Sequence, residues 1–354
     1  MSISASHVAA SRALLAQGLA IPAHPLALNA ARQLDVRRQR ALSRYYIDAG
    51  VGGLAVGVHT TQFAIREAGL YDTVLELAMQ EARTWNPQRT LAMVAGVCGG
   101  TEQALREART ATALGYDAGL LSMSALKGRS EDEILAHVEA VSQEIPVVGF
   151  YLQPAVGGMV LSSDFWARFA SIENVIAIKV APFNRYLSLD VVRGVVRANA
   201  QERITLYTGN DDHIVLDLLT PFDVVHEGRV VRMRFQGGLL GHWSVWTQRA
   251  VQLLAQCKAE AAKGAQISAD MLALDARVTD CNSAFFDVAN AFHGCIAGCH
   301  EVLRRQGLLE GVWCLDPNEG LSPGQSALID RVTSEHADLS DDTFVAANLA
   351  RWLA

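Results

Sequence analysis

Short apolar, β-branched segments recur along the chain and alternate with segments of helical periodicity. The apolar segments begin near residues 53, 90, 118, 146, 175, 204 and 232, at intervals of 28 to 37 residues. Each predicts a β-strand, and a further apolar piece at residues 19–24 brings the number to eight. Between them, residues 101–114, 130–144 and 162–172 have helical spacing, and the last two begin with a serine suited to an N-cap.

This strand–helix alternation over roughly 230 residues predicts a (β/α)8 TIM barrel of the α/β class. A doubly wound open sheet is the competing fold, but no G-x-G-x-x-G sequence opens any of the helices.

The alternation of predicted strands and helices ends at residue 244. Helical patterns follow at residues 245–263, 271–280 and 284–306, after Pro323 and after Ser340. We therefore predict three parts: an N-terminal capping helix at residues 1–16, the barrel at 17–244 and a C-terminal helical extension at 245–354.

The composition and net charge of the chain limit the classes of molecule that it is expected to bind. Half of the 354 residues are hydrophobic, 19% are charged, and the formal net charge is −7. No block of like charges suits nucleic acid or an anionic membrane surface, and no apolar run reaches the roughly 18 residues of a membrane span. The six cysteines do not resemble the disulfide framework of a small secreted domain. We expect a cytoplasmic protein with a small-molecule partner.

Lys179 is the most informative residue at a strand end. The chain has four lysines against 26 arginines, and only Lys179 lies within an apolar strand. Burial lowers the pKa of a lysine, which supplies the free amine that a Schiff base with a carbonyl substrate requires. The alternative is a lysine whose stem is buried and whose ammonium reaches water or a carboxylate.

Tyr151 precedes Lys179 by 28 residues, which is one strand–helix unit. The two residues are therefore expected on adjacent strands, where a phenol beside an amine can relay protons during imine formation. An aromatic residue in a strand is alternatively part of the core.

Together these features resemble the N-acetylneuraminate lyase and dihydrodipicolinate synthase family of metal-free class I aldolases. The resemblance rests on Tyr151-x-x-Pro154 followed by Gly157, Ile178-Lys179 at the family's spacing, Ala95-Gly96-Val97, Gly209 with Asp211 and Asp212, and Gly238-x-x-Gly241-x-x-Ser244.

The resemblance implies that Lys179 forms the Schiff base with pyruvate or another 2-oxo acid and that Tyr151 shuttles protons. It also implies a (β/α)8 barrel with a C-terminal helical extension, a homotetramer or homodimer, and neither a cofactor nor a metal. Gly209 is expected among the substrate-binding residues.

The strand-two motif departs from the family pattern Gly-Thr-Thr-Gly-Glu, whose threonines hold the substrate carboxylate. Here the chain reads Gly57-Val58-His59-Thr60-Thr61-Gln62-Phe63. Thr60 matches a motif threonine in either register, with Thr61 or His59 beside it, and hydroxyl and N–H groups at a helix start suit a carboxylate. A threonine pair that only caps a helix gives the same pattern.

Two further family residues are missing. Dihydrodipicolinate synthases have an arginine where this chain has Val156, and a tyrosine after strand four where it has residues 122–126. Both losses argue against a role in lysine biosynthesis. His59, His242 and Trp243 are candidates for shaping a pocket around a different aldehyde, although a lone histidine is more often structural.

Metal sites are disfavoured by the sequence. Asp211, Asp212 and His213 are adjacent and cannot all point inward from one strand end, and Cys295 and Cys299 share a helix face without a sufficient ligand set.

The predicted function is therefore a lyase or aldolase that needs no cofactor and joins or separates a 2-oxo acid and an aldehyde through an imine on Lys179. A sugar-acid dehydratase using the same imine is one alternative. A non-catalytic binding or regulatory protein on an aldolase scaffold is the other.

Overall fold

Residues 3–264 and 266–354 are described by the computed structural model. In these ranges the strands are β1 (Ala20–Pro22), β2 (Gly53–Val56), β3 (Ala92–Val97), β4 (Ala118–Leu121), β5 (Val147–Leu152), β6 (Val175–Ala181), β7 (Thr205–Thr208), β8 (Phe222–His226), β9 (Arg229–Met233) and β10 (Phe235–Leu240).

The helices alternate with the strands and then follow them. They are α1 (Ala5–Leu15), α2 (Val36–Ala49), α3 (Tyr71–Thr84), α4 (Thr101–Leu114), α5 (Glu131–Ser142), α6 (Ser163–Ser171), α7 (Arg185–Arg197), α8 (Ile214–Leu219), α9 (Thr247–Ala262), α10 (Ala269–Phe285), α11 (Cys295–Arg305), α12 (Gln325–Glu335) and α13 (Asp342–Trp352).

Eight strands form one sheet in the order β1-β10-β7-β6-β5-β4-β3-β2. A parallel bridge between Ala23 and Ala55 links the chain after β1 to β2, so the two ends of this order meet. The fold is therefore a (β/α)8 TIM barrel with C-terminal helices, which confirms the predicted fold class.

The chain divides into two compact units. The first contains the chain up to Leu19 together with Ala92–Leu239. Its helices begin where local sequence predicts, because Ser130 and Ser162 each accept a hydrogen bond from a backbone N–H in the first turn of α5 and α6.

The second unit contains Ala20–Leu91 and Leu240–Ala354. Within it, the indole N–H groups of Trp85 and Trp352 donate to the two carboxylate oxygens of Asp48, at 3.0 and 2.6 Å. The guanidinium groups of Arg44 and Arg351 lie over the Trp85 ring, so this cluster attaches α13 to α2 and α3.

The strand predicted near residue 232 is assigned differently by the structure. Arg232 and Met233 belong to β9, which pairs with β8 in an antiparallel hairpin, and the eighth barrel strand begins only at Phe235. Glu227 and Gly228 both have positive φ and form the hairpin turn between two β-branched runs.

The helix predicted over residues 284–306 is interrupted. α10 ends at Phe285 and α11 begins at Cys295, because Asp287, Ala291 and Phe292 adopt left-handed backbone conformations with φ of 56°, 52° and 67°. The Asp287 carboxylate holds this loop by accepting hydrogen bonds from the Asn290 side chain, the Gly294 N–H and the Ser322 hydroxyl.

The predicted division at residues 16 and 244 stays a prediction, and residues 1 and 2 of the expected capping helix lie outside the described residues. No helix in the described ranges is long and apolar enough to cross a membrane.

Candidate active site

Lys179 lies in β6 with a neighbour on each side. Its Cα partner on β5 is Phe150, and its Cα partner on β7 is Tyr207. The Nζ atom lies 4.3 Å from the centroid of the Phe150 ring. Lys179 as a whole residue keeps partial exposure, whereas every other residue of the strand is buried, and its amine is desolvated. Lys179 therefore presents an amine on an otherwise apolar strand.

Two opposing effects set the acidity of this amine. Burial lowers the pKa of Lys179 to about 8, and the negative charge of Asp211 opposes that fall. With this pKa about a tenth of the amine is neutral at pH 7, far more than for an ordinary lysine, and nucleophilic attack on a carbonyl requires this neutral form.

The absence of a side chain at Gly209 leaves space for the methylene chain of Lys179. A β-carbon at this position would lie 2.6 Å from Lys179 Cε and 2.8 Å from Ala181 Cβ, both too short for real contacts. Glycine is therefore needed at the end of β7 because the Lys179 side chain passes directly over it.

A buried polar network supports the segment that carries Gly209 and Asp211. The Asp217 carboxylate accepts hydrogen bonds from Thr208 Oγ1 at 2.6 Å and Asn210 Nδ2 at 2.8 Å, and pairs with the Arg185 guanidinium. Asn210 Oδ1 in turn accepts the N–H of Phe183, which has a left-handed φ of 49°. The network joins the loops that follow β6 and β7.

Tyr151 is not placed beside Lys179. A register shift between Val147 and Val148 moves the β5–β6 pairing by one residue, so Tyr151 pairs with Val180 and Phe150 pairs with Lys179. Neighbouring residues of a strand point to opposite faces, and the Tyr151 ring lies 4.9 Å from the Trp166 ring of α6, centroid to centroid.

The Tyr151 hydroxyl accepts a hydrogen bond from the Leu161 N–H at 3.2 Å. Burial raises the pKa of this phenol. The expected contact with the amine is thus not made in this geometry, and the proton-shuttle role of Tyr151 stays a prediction.

His59, Thr60 and Thr61 form one turn of 3-10 helix after β2. The Thr61 hydroxyl donates to the His24 carbonyl at 2.6 Å and accepts the N–H groups of Gly57 and Val58 at 3.0 and 3.2 Å. Its oxygen is therefore engaged in holding the main chain.

Thr60 lies beside the end of β10. A β-carbon on Gly241 would lie 3.8 Å from Thr60 Oγ1 and 3.0 to 3.1 Å from two ring carbons of Phe286. A residue of the C-terminal extension is thus packed against the same glycine as the threonine that the family pattern selects.

The two candidate histidines differ. The His59 ring lies 5.8 Å from the Phe63 ring and keeps partial exposure. The buried His242 ring stacks on Phe285, and burial lowers its pKa to about 4, so it is neutral at pH 7.

In the described ranges, Asp280, Glu335 and His336 have the composition of a metal site, with ligand atoms within 4.8 Å of one another. The Arg331 guanidinium, however, donates to both oxygens of Asp280 and to Glu335, and lowers the Asp280 pKa to about 2. We interpret the group as an ion-pair network, in which arginine supplies the cation.

Sequence reasoning missed Phe150 and Phe286. Phe150 immediately precedes the motif tyrosine, and only the register shift reveals that it faces the lysine. Phe286 contacts Gly241 from 45 residues further along the chain, and no local pattern signals such a contact.

Comparison with known proteins agrees with this fold. The model of the dihydrodipicolinate synthetase family matches residues 19–221, which is more than half of the chain. The protein therefore belongs to this family, whose members are class I lyases that use pyruvate through a Schiff base.

The chain is 25% identical over 198 residues to the 4-hydroxy-tetrahydrodipicolinate synthase of Methanospirillum hungatei, covering 55% of this chain and 64% of that protein. It is 26% identical over 211 residues to the N-acetylneuraminate lyase of Citrobacter koseri, covering 58% and 67%. The chain thus spans less than two thirds of the length of the synthase and about two thirds of the length of the lyase.

Solved structures share the fold at lower identity. A dihydrodipicolinate synthase from Acinetobacter baumannii, complexed with pyruvate, is 17% identical with a TM-score of 0.73, covering 91% of this chain and 99% of that chain. A Clostridium difficile protein in complex with mannosamine is 16% identical with a TM-score of 0.72, covering 90% and 98%.

Proposed function

We propose that this protein is a class I carbon–carbon lyase or aldolase that holds a pyruvate-type 2-oxo acid as an imine on Lys179 and uses an aldehyde as its second partner. The observation that carries the proposal is the amine itself, a lysine on an otherwise buried barrel strand whose pKa is lowered to about 8 by burial. An arginine at this position has no accessible neutral form and forms no imine.

The chemistry begins with attack of the neutral Lys179 nitrogen on the ketone carbon. A C–N bond forms, and the ketone oxygen then leaves as water after taking up two protons, one of them from the amine. The product is a protonated imine. Its positive nitrogen accepts an electron pair, either from the C–H bond at C3 or from the C–C bond that breaks, and becomes a neutral enamine.

We assign the substrate carboxylate to the turn at His59, Thr60 and Thr61, with Thr60 as the side-chain donor. The Thr61 hydroxyl already donates to a backbone carbonyl, which supports Thr60 as the hydroxyl that contacts the substrate. Gly209 keeps its predicted place in substrate binding because it borders the Lys179 stem.

For proton transfer, the observed position of Tyr151 differs from the one that the family pattern implies. Tyr151 remains the predicted shuttle, although in the described geometry its hydroxyl accepts the Leu161 N–H and its ring packs against Trp166 of α6. Asp211 acts electrostatically on Lys179 and favours the protonated forms of the amine and of the imine.

The cytoplasmic location and the homo-oligomeric state, dimer or tetramer, belong to the same proposal. They are supported by the family membership.

Deuterium exchange into the methyl group of pyruvate tests the function without knowledge of the aldehyde. In D2O the wild-type protein is expected to exchange these protons through the enamine, whereas Lys179→Arg should not and Lys127→Arg should be unaffected. Mass spectrometry of the recovered pyruvate is the readout. Absence of exchange with pyruvate and with a panel of other 2-oxo acids would favour a non-catalytic binding protein.

A further inference from the structure

The aromatic ring of Phe150 is the surface over which the Lys179 nitrogen lies. The two residues are Cα partners on neighbouring strands, the Nζ atom is 4.3 Å from the ring centroid, and Phe150 is 5% exposed. A cation within about 6 Å of an aromatic centroid is attracted by the negative face of the ring, most strongly where water is excluded.

The other elements around Lys179 present different groups. On β7 its Cα partner is Tyr207, whose hydroxyl donates to the Leu15 carbonyl at 2.7 Å and accepts the Leu19 N–H at 3.1 Å. In the segment after β7, Asp211 supplies the negative charge that acts on the amine, and Gly209 supplies space. The phenol of Tyr207 is therefore committed to the N-terminal segment, and the Phe150 face lies under the nitrogen.

We propose that Phe150 is a further catalytic residue, whose ring face stabilises the positively charged nitrogen of Lys179 and then of the protonated imine. This inference rests on the function proposed above. The nitrogen is cationic in the protonated amine and in the imine but neutral in the free amine and in the enamine. At a pH above the pKa of Lys179 the ring therefore favours the imine over the neutral amine and free 2-oxo acid. Loss of this attraction weakens retention of the 2-oxo acid.

A different experimental result is expected if the Phe150 ring has only a structural role. If Phe150 only fills space, a ring of nearly the same shape with a weaker negative face leaves Lys179 unchanged. Progressive fluorination of the ring at position 150 provides such a change, because fluorine withdraws electron density from the face and alters the shape little.

The experiment replaces Phe150 with 4-fluoro-, 3,5-difluoro- and 3,4,5-trifluorophenylalanine and measures the pKa of Lys179 without substrate. Competitive acetylation followed by peptide mass spectrometry reports each of the four lysines separately. We expect the pKa of Lys179 to fall with each fluorine, by about one unit over the series. At about pH 9, where most of the free amine is neutral, the pyruvate concentration for half-maximal borohydride trapping should rise about 3- to 10-fold over the series.

The same series at Phe169 is the matched control. Phe169 packs against Trp166 on α6, 5.2 Å between ring centroids, and its fluorination should leave the pKa of Lys179 unchanged. Phe150→Leu gives a second test by ordinary mutagenesis, with the same direction of effect on the pKa and on trapping.

The outcomes separate the two proposals. A constant pKa for Lys179 across the position-150 series, with normal trapping, would overturn the role of Phe150 alone. A falling pKa in a protein that traps no 2-oxo acid would overturn the proposed function, and the catalytic role of Phe150 with it.

Discussion

Lys179, Gly209 and Phe150 depend on one another at the scale of single atoms. The lysine stem passes where a β-carbon of residue 209 would lie, and its nitrogen lies over the ring of the residue opposite in the sheet. The position of the nitrogen thus depends on the missing side chain of Gly209, directly after β7, and on the large side chain of Phe150 on β5.

Gly209→Ala tests this arrangement. The added methyl group would lie 2.6 Å from Lys179 Cε, and the flexible lysine stem is the neighbour most able to move. We expect deuterium exchange into pyruvate to slow at least about tenfold, because misplacement of a reacting group by about 1 Å is costly. Gly100→Ala is the control, since no atom lies within 4 Å of its added carbon. Equal exchange rates for the two variants would show that Lys179 is not constrained by Gly209.

At the scale of helices and strands, the sequence predicts those features that depend only on interactions between neighbouring residues. Ser130 and Ser162 were identified as N-caps because the hydrogen bond of a cap is made within one turn. The loop at residues 286–294 was predicted as helix because its residues are compatible with a helix. Its left-handed backbone depends on Asp287, which also bonds to Ser322, a contact that the local pattern does not contain.

The turn after β2 gives a prediction that separates its two threonines. Thr61→Val removes the hydroxyl that holds one carbonyl and two N–H groups, so the free energy of unfolding should fall by about 1–3 kcal/mol. Thr60→Val should leave stability nearly unchanged and raise the pyruvate concentration for half-maximal exchange by about tenfold or more, because a bond to a charged group is lost. Urea unfolding and exchange kinetics measure the two effects.

The serine variants are the matched controls, since Thr60→Ser and Thr61→Ser keep the hydroxyls and should resemble the wild type. If Thr60→Val left binding unchanged while Thr61→Val abolished it, the carboxylate contact would have been assigned to the wrong threonine.

At the scale of the whole molecule, the strand–helix period of about 28 residues was sufficient to predict the barrel. The same period places Tyr151 on the strand next to that of Lys179, as the structure does, but it does not reveal that Phe150 is the Cα partner of Lys179. Val147 and Val175 are partners at a separation of 28 residues, but one extra residue in β6 makes the separation 29 from Val148 onward. A bulge of one residue reverses which side chains face each other, and no spacing rule reveals it.

Burial of the Lys179 amine lowers the free energy of unfolding of the whole protein. The pKa of Lys179 is about 8 in the folded state and near its ordinary 10.5 in the unfolded chain, so the unfolded state binds the proton more tightly. This loss of stability has its full size below about pH 8 and disappears as the pH rises to 10.5. Lys179→Met should therefore be more stable than the wild type by about 3 kcal/mol at pH 7.

The difference between Lys179→Met and the wild type should shrink steadily between pH 8 and 9.5 in urea unfolding. Lys127 is exposed, and Lys127→Met should show no such pH dependence. A Met variant at position 179 that is no more stable than the wild type at pH 7 would contradict the buried, desolvated amine.

Borohydride reduction in the presence of pyruvate tests the central claim most directly, because it converts an imine on the protein into a stable adduct whose position peptide mass spectrometry identifies. The account predicts one reduced pyruvate adduct per chain, located on Lys179 and absent from Lys179→Arg. No adduct with any of a panel of 2-oxo acids, or an adduct confined to Lys127, Lys258 or Lys263, would contradict it.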